Sequence, residues 1–131
     1  MQLLLLAAAG GAIGAGLRFL VNEAMAAPQI ARGALTFPWA TLTVNVLGSF
    51  FMGIAAVFVI QRLAGSPEWR TFLATGILGG FTTFSAFSLD LLNLMTDSGL
   101  SLRFFAYAVG SVVFSFAALL LGMALARAAF P

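Results

Sequence analysis

No charged residue occurs between Arg32 and Arg62, and none between Arg103 and Arg127. Uninterrupted runs of this kind narrow the possible folds more than any other property of the chain. A helix needs about 20 apolar residues to cross a hydrocarbon core roughly 30 Å thick. Both runs are long enough. A third begins at residue 2, is charge-free to residue 17, and stays apolar past Arg18 to Val21. A fourth follows Arg70. The expected fold is an all-α integral membrane protein with one transmembrane domain over residues 1–131 and four spans at about 3–22, 39–60, 71–95 and 102–126. Composition agrees, since only 8% of the residues are charged and 62% are hydrophobic, whereas a soluble domain averages roughly 25% charged. A core built from 131 residues could not hide so much apolar surface from water.

The segments between the spans are short. Asn22 to Pro38 reads as a connector, residues 61–70 as a polar turn, and residues 96–99 as a second turn. Trp39 and Trp69 suit the membrane–water interface. A cleaved leader is the competing reading of the first run, but it lacks a positively charged start and more spans follow it. With four spans, both termini fall on one side. Arg62, Arg70 and Arg127 lie on that side, Arg32 and Arg103 on the other, and Arg18 can snorkel toward the second. Three arginines against three leave almost no bias, and that bias is what orients a membrane protein. Insertion both ways up, and hence an antiparallel homodimer, is the expectation.

The chain has no cysteine and no histidine. Disulfides, thiol chemistry and the commonest transition-metal ligands are therefore absent, as is the most frequent general base. With four acidic residues in all, an enzyme is not expected. The scattered arginines form no nucleic-acid footprint. The solvent for so apolar a chain is membrane lipid.

Polar residues inside the spans form stripes. Thr41, Asn45 and Ser49 recur every four residues and share one face of the second helix. An amide at mid-depth must be paired or wetted, so Asn45 either bonds another helix or faces a polar path. Tyr107, Ser111 and Ser115 form a similar line on the fourth helix. Serine in a membrane helix often bonds its own backbone, but three aligned hydroxyls fit a wet track. Hydroxyls donate to an anion without a charge that would trap it, and conduction requires such weak sites. In the third span, Gly79-Gly80 and Thr82-Thr83 both disfavour helix, so a break is expected over Gly79–Thr83. A break leaves carbonyls without partners, and these can coordinate a cation. A simple glycine kink is the plainer alternative. Phe84 and Phe87 share a face of the restarted helix. They pack in a core, or they offer their positive ring edges to an anion.

The run Gly79-Gly-Phe-Thr-Thr-Phe-Ser-Ala-Phe-Ser88 closely resembles the signature of the Fluc family of bacterial fluoride channels, also called CrcB. The likeness spans the chain. Residues 14–18 (Gly-Ala-Gly-Leu-Arg) resemble the family's first helix, and residues 41–48, with Asn45, resemble its second. Tyr107, Ser111 and Ser115 stand where the family has its polar track. The resemblance implies an antiparallel, dual-topology homodimer in the bacterial inner membrane, with two fluoride pores and passive export of cytoplasmic fluoride. It implies paired ring edges from Phe84 and Phe87, a pore amide from Asn45, and polar contacts from Thr83 and Ser85. Arg18 would attract anions at the vestibule, and the backbone carbonyls of Gly79 and Thr82 from both subunits would hold a central structural Na⁺. The family often has Glu three residues after the second phenylalanine, where this chain has Asp90.

A small multidrug-type dual-topology transporter is the main alternative. Its proton coupling needs a carboxylate deep in the first helix, and residues 2–17 contain none. A non-transporting assembly subunit would explain the glycines but not the aligned hydroxyls.

Overall fold

The computed structural model describes residues 1–30, 37–63 and 65–130, with the backbone alone at 26–30 and 60–62. Arg32, which enters the orientation balance above, lies outside the described residues, and the Arg62 side chain does too. Every regular element of the described chain is a helix. Helix α1 runs Gln2–Ile30 and α2 runs Trp39–Arg62. A short α3 (Pro67–Arg70) leads into a π-helical turn, Thr71–Leu78, and then into α4 (Gly79–Phe81). Helix α5 runs Phe84–Ser98 and α6 runs Leu102–Ala129. Four segments are long and apolar enough to cross a membrane: Gln2–Met25, Trp39–Val59, Pro67–Ser98 and Leu102–Ala129. The chain is accordingly a multi-pass membrane protein. One difference concerns α1, which continues through residues 23–30, assigned above to the connector.

Local chemistry sets several boundaries. Pro67 opens α3, where its missing N–H costs nothing. Helix α5 ends at Gly99, whose φ of 64° lies in the left-handed region that favours glycine, and the Gly99 N–H closes back on the Met95 carbonyl at 2.9 Å. Helix α6 begins under a Ser101 cap, whose Oγ accepts from the Phe104 N–H at 3.4 Å.

The helices associate mainly as two pairs. Helix α1 packs along the π turn and α4, and α2 packs along α6. Each contact is made by glycines that bring backbones together, the means by which helices approach in lipid. A Cβ on Gly14 would collide with the Ile77 carbonyl, and one on Gly10 would stand 2.9 Å from the Gly76 Cα. In the other pair, a Cβ on Gly53 would strike the Leu119 carbonyl and one on Gly122 the Phe50 carbonyl. The buried cluster is small: Phe87, Leu94 and Tyr107, flanked by Phe37, Leu42, Leu91 and Phe104. Many large apolar side chains elsewhere remain exposed on the single chain, as expected of a surface that meets lipid or another subunit.

Candidate anion pathway at the Thr82–Thr83 junction

Helical backbone stops after Phe81 and resumes at Phe84. Thr82 (φ −75°, ψ 155°) and Thr83 (φ −149°, ψ 121°) are extended. The glycines do not interrupt the helix, because Gly79 and Gly80 both lie within α4. Their value here is close approach: a Cβ on Gly80 would stand 2.6 Å from the Gly11 carbonyl oxygen of α1.

Asn45 of α2 accounts for the extended pair. Its Oδ1 accepts the Thr83 N–H at 2.8 Å, and its Nδ2 donates to the Thr83 carbonyl at 3.0 Å. One side chain thus satisfies both polar groups of one extended residue, as a neighbouring strand would. An unpaired buried amide or peptide group costs about 1–3 kcal/mol, so the two groups secure each other. Of the two readings of Asn45, the bond to another helix is present. The amide has a second N–H that neither bond needs. Thr83 also caps α5, its Oγ1 accepting from the Ala86 N–H at 3.1 Å. The Ser85 Oγ lies 3.2 Å from the same hydroxyl.

An open cavity of about 430 Å³ lies against this junction. Helix α2 lines it with Asn45, Gly48, Ser49 and Met52; the junction contributes Thr82 and Thr83. Phe84 and Phe87 come from α5, and Ser111, Val112, Ser115, Phe116 and Leu119 from α6. Among the described residues, no charged one lines it. The polar groups it offers are an amide and hydroxyls, and Ser111 is distinctive among them. It is 5% exposed, and its Oγ has no hydrogen-bond partner among the described residues. The rings of Phe84 and Phe87 stand 5.4 Å apart at 45°. Phe87 is buried, whereas Phe84 is 77% exposed on the single chain. Val112 and Phe116 flank the same opening and are exposed too.

Seven of the residues singled out from sequence therefore meet in one cavity: Asn45, Thr82, Thr83, Phe84, Phe87, Ser111 and Ser115. Tyr107, Ser85, Arg18 and Gly79 do not line it. Tyr107 is fully buried one turn before Ser111, donating to Asp90 Oδ2 at 2.9 Å and packing on Phe87 at 5.3 Å. Ser85 is exposed, although its hydroxyl meets that of Thr83. Arg18 points its Nη1 at the Thr82 carbonyl from 3.5 Å, at the long limit of a hydrogen bond. That places it against the junction rather than snorkelling away from it. Ser49, the third member of the stripe with Thr41 and Asn45, lines the cavity as well, and so does Gly48, which was not among the site residues expected from sequence.

Chemically, the cavity can solvate a small anion or water through neutral donors and ring edges. Among the described residues its walls hold no nucleophile–base pair and no acid–base pair. The family model described as CrcB-like protein, Camphor Resistance (CrcB), matches residues 5–123. A protein of Rhizobium meliloti (strain 1021) named fluoride-specific ion channel FluC is 48% identical over 128 residues, covering 98% of each chain. One of the same name from Mesorhizobium japonicum is 48% identical over 124 residues and 95% of each chain. A third, from Hahella chejuensis, is 45% identical over 120 residues, covering 92% of this chain and 91% of the relative.

Proposed function

The chain belongs to the CrcB family, and from that premise we propose that it is a passive, fluoride-selective channel of the bacterial inner membrane, working as an antiparallel homodimer with two pores. It is a channel rather than an enzyme, in keeping with the names of its relatives. One observation carries the reading: the cavity beside the Thr82–Thr83 junction is lined by Asn45, Thr83, Ser111 and Ser115 and, among the described residues, by no charged side chain.

Fluoride is small and strongly hydrated, so a pore must replace many water contacts. Asn45 supplies an amide N–H, and Ser111 and Ser115 supply hydroxyls one turn apart. Thr83, with Ser85 beside it, adds hydroxyls at the break, and Phe84 and Phe87 present ring edges, the positive part of the quadrupole. Neutral donors bind an anion firmly enough to admit it and weakly enough to release it. Tyr107 ends the line beside Asp90, and Arg18 lends positive potential near the break. The exposed Phe84 and the open side of the cavity support a partner subunit that closes the pore. Fluoride that enters a cell as HF and dissociates in a more alkaline cytoplasm would leave by this route.

The carbonyls of Gly79 and Thr82 fit a structural Na⁺ by donor type, being hard, neutral oxygens at the end of a helix that stops. Arg18 approaches Thr82 only at the long limit of a hydrogen bond, and a carbonyl oxygen has two lone pairs. When bound, Na⁺ would offset repulsion among the carbonyls of the two subunits.

The multidrug-type alternative finds no carboxylate among the described residues of the cavity wall, and Asp90 already accepts from Tyr107. Fluoride efflux from proteoliposomes, read with a fluoride electrode against chloride, tests the proposal. Fluoride flux without chloride flux is expected; a folded protein that moves neither anion would refute it.

A further inference from the structure

We infer that Asn45 acts as a positioning residue for the cation site as well as a lining residue of the anion path. This inference rests on the Na⁺ reading above and extends it to a side chain that is not a ligand. In a helix that ran on, the Thr83 N–H would donate to the Gly79 carbonyl four residues back. The preceding bond is intact, with the Thr82 N–H reaching the Leu78 carbonyl at 3.0 Å. At the next step the ladder fails, because Asn45 Oδ1 holds the Thr83 N–H at 2.8 Å. The Gly79 carbonyl thereby loses its helical donor.

The same bond directs the peptide that carries the Thr82 carbonyl, because the Thr83 N–H belongs to it, and the second bond, from Nδ2 to the Thr83 carbonyl at 3.0 Å, holds Thr83 extended. Helix α2 can reach so close because Gly48, three residues on, lies against the Thr82 side chain, where a Cβ would collide with Cγ2. The two carbonyls assigned to Na⁺ are thus released and aimed by one amide from another helix. The same amide lines the cavity. Cation binding and the shape of the anion path are therefore set by one residue.

The test is a Na⁺ titration of dimer assembly, with N-methylglucamine holding ionic strength constant. Assembly is read by energy transfer between subunits labelled at single introduced cysteines, which the cysteine-free sequence permits. Replacing a residue that orients metal ligands typically costs roughly 10–100-fold in metal affinity. Asn45→Leu is expected to raise the half-saturating Na⁺ concentration by about tenfold or more. Asn45→Asp keeps an acceptor for the Thr83 N–H but loses the donor to the Thr83 carbonyl, and is expected between the wild type and Asn45→Leu. Glu68→Gln, on the exposed turn away from both the junction and the cavity, is expected at the wild-type midpoint. Should Asn45→Leu fail to fold, Asn45→Ser takes its place. Its hydroxyl is too short to span both Thr83 groups, and the same rise is expected. A wild-type midpoint in Asn45→Leu or its replacement would overturn the role of Asn45 while leaving the Na⁺ site in place. Assembly of the wild type that ignores Na⁺ would overturn the Na⁺ reading, and this inference with it.

Discussion

The Ser111 hydroxyl is buried and has no partner among the described residues. Leaving a buried polar group unmade costs about 1–3 kcal/mol, whereas removing one that makes no bond can be neutral or stabilising. Stability and transport therefore separate at this position. Ser111→Ala should leave thermal unfolding of the detergent-solubilised protein unchanged or slightly raised, while lowering fluoride flux in liposomes. A loss of stability would show that the hydroxyl has a structural partner. Asn45 makes the opposite case. From sequence, the interhelical bond and the pore role stood as alternatives; in the fold the amide bonds Thr83 and lines the cavity at once. Periodicity put Asn45 on the right face, but nothing in its spacing named Thr83 as its partner, because the two are 38 residues apart.

The third span shows what a single element does and does not reveal. Propensity placed the interruption at Gly79–Thr83, since glycine and β-branched residues both disfavour helix. Tertiary contact decided otherwise. The glycines stay helical and admit α1, and the extended residues are the two that Asn45 and Gly48 reach. The π turn over Thr71–Leu78 had no signal in the sequence at all. The close approach of α1 to this element gives a prediction at the same scale. Gly14→Val would drive a side chain into the Ile77 carbonyl, and overpacking of this kind typically costs about 1–3 kcal/mol. The variant should show a lower unfolding temperature or a smaller folded fraction on size exclusion. A wild-type profile would mean that α1 does not pack as described.

At the scale of the whole molecule, the four apolar runs made the membrane fold legible, because length and charge alone decide what can cross a bilayer. Assembly was less legible: the single chain leaves Phe84 exposed and the cavity open. The near-even split of arginines predicts that an introduced tag will be labelled from both sides of the membrane in about equal amounts. Labelling from one side only would rule out an antiparallel pair. The central claim is that fluoride passes between α2, α5 and α6 at the Thr82–Thr83 junction. Comparing fluoride efflux from proteoliposomes of wild type, Phe84→Ile and Phe87→Ile tests it most directly. Quadrupole geometry is worth about 0.5–1.5 kcal/mol between two aromatic rings; for a ring-edge–anion contact of similar size, each 1.4 kcal/mol on a barrier is about tenfold in rate. Flux should fall by up to about tenfold in each variant while the dimer persists; undiminished fluoride flux in both folded variants would contradict the account.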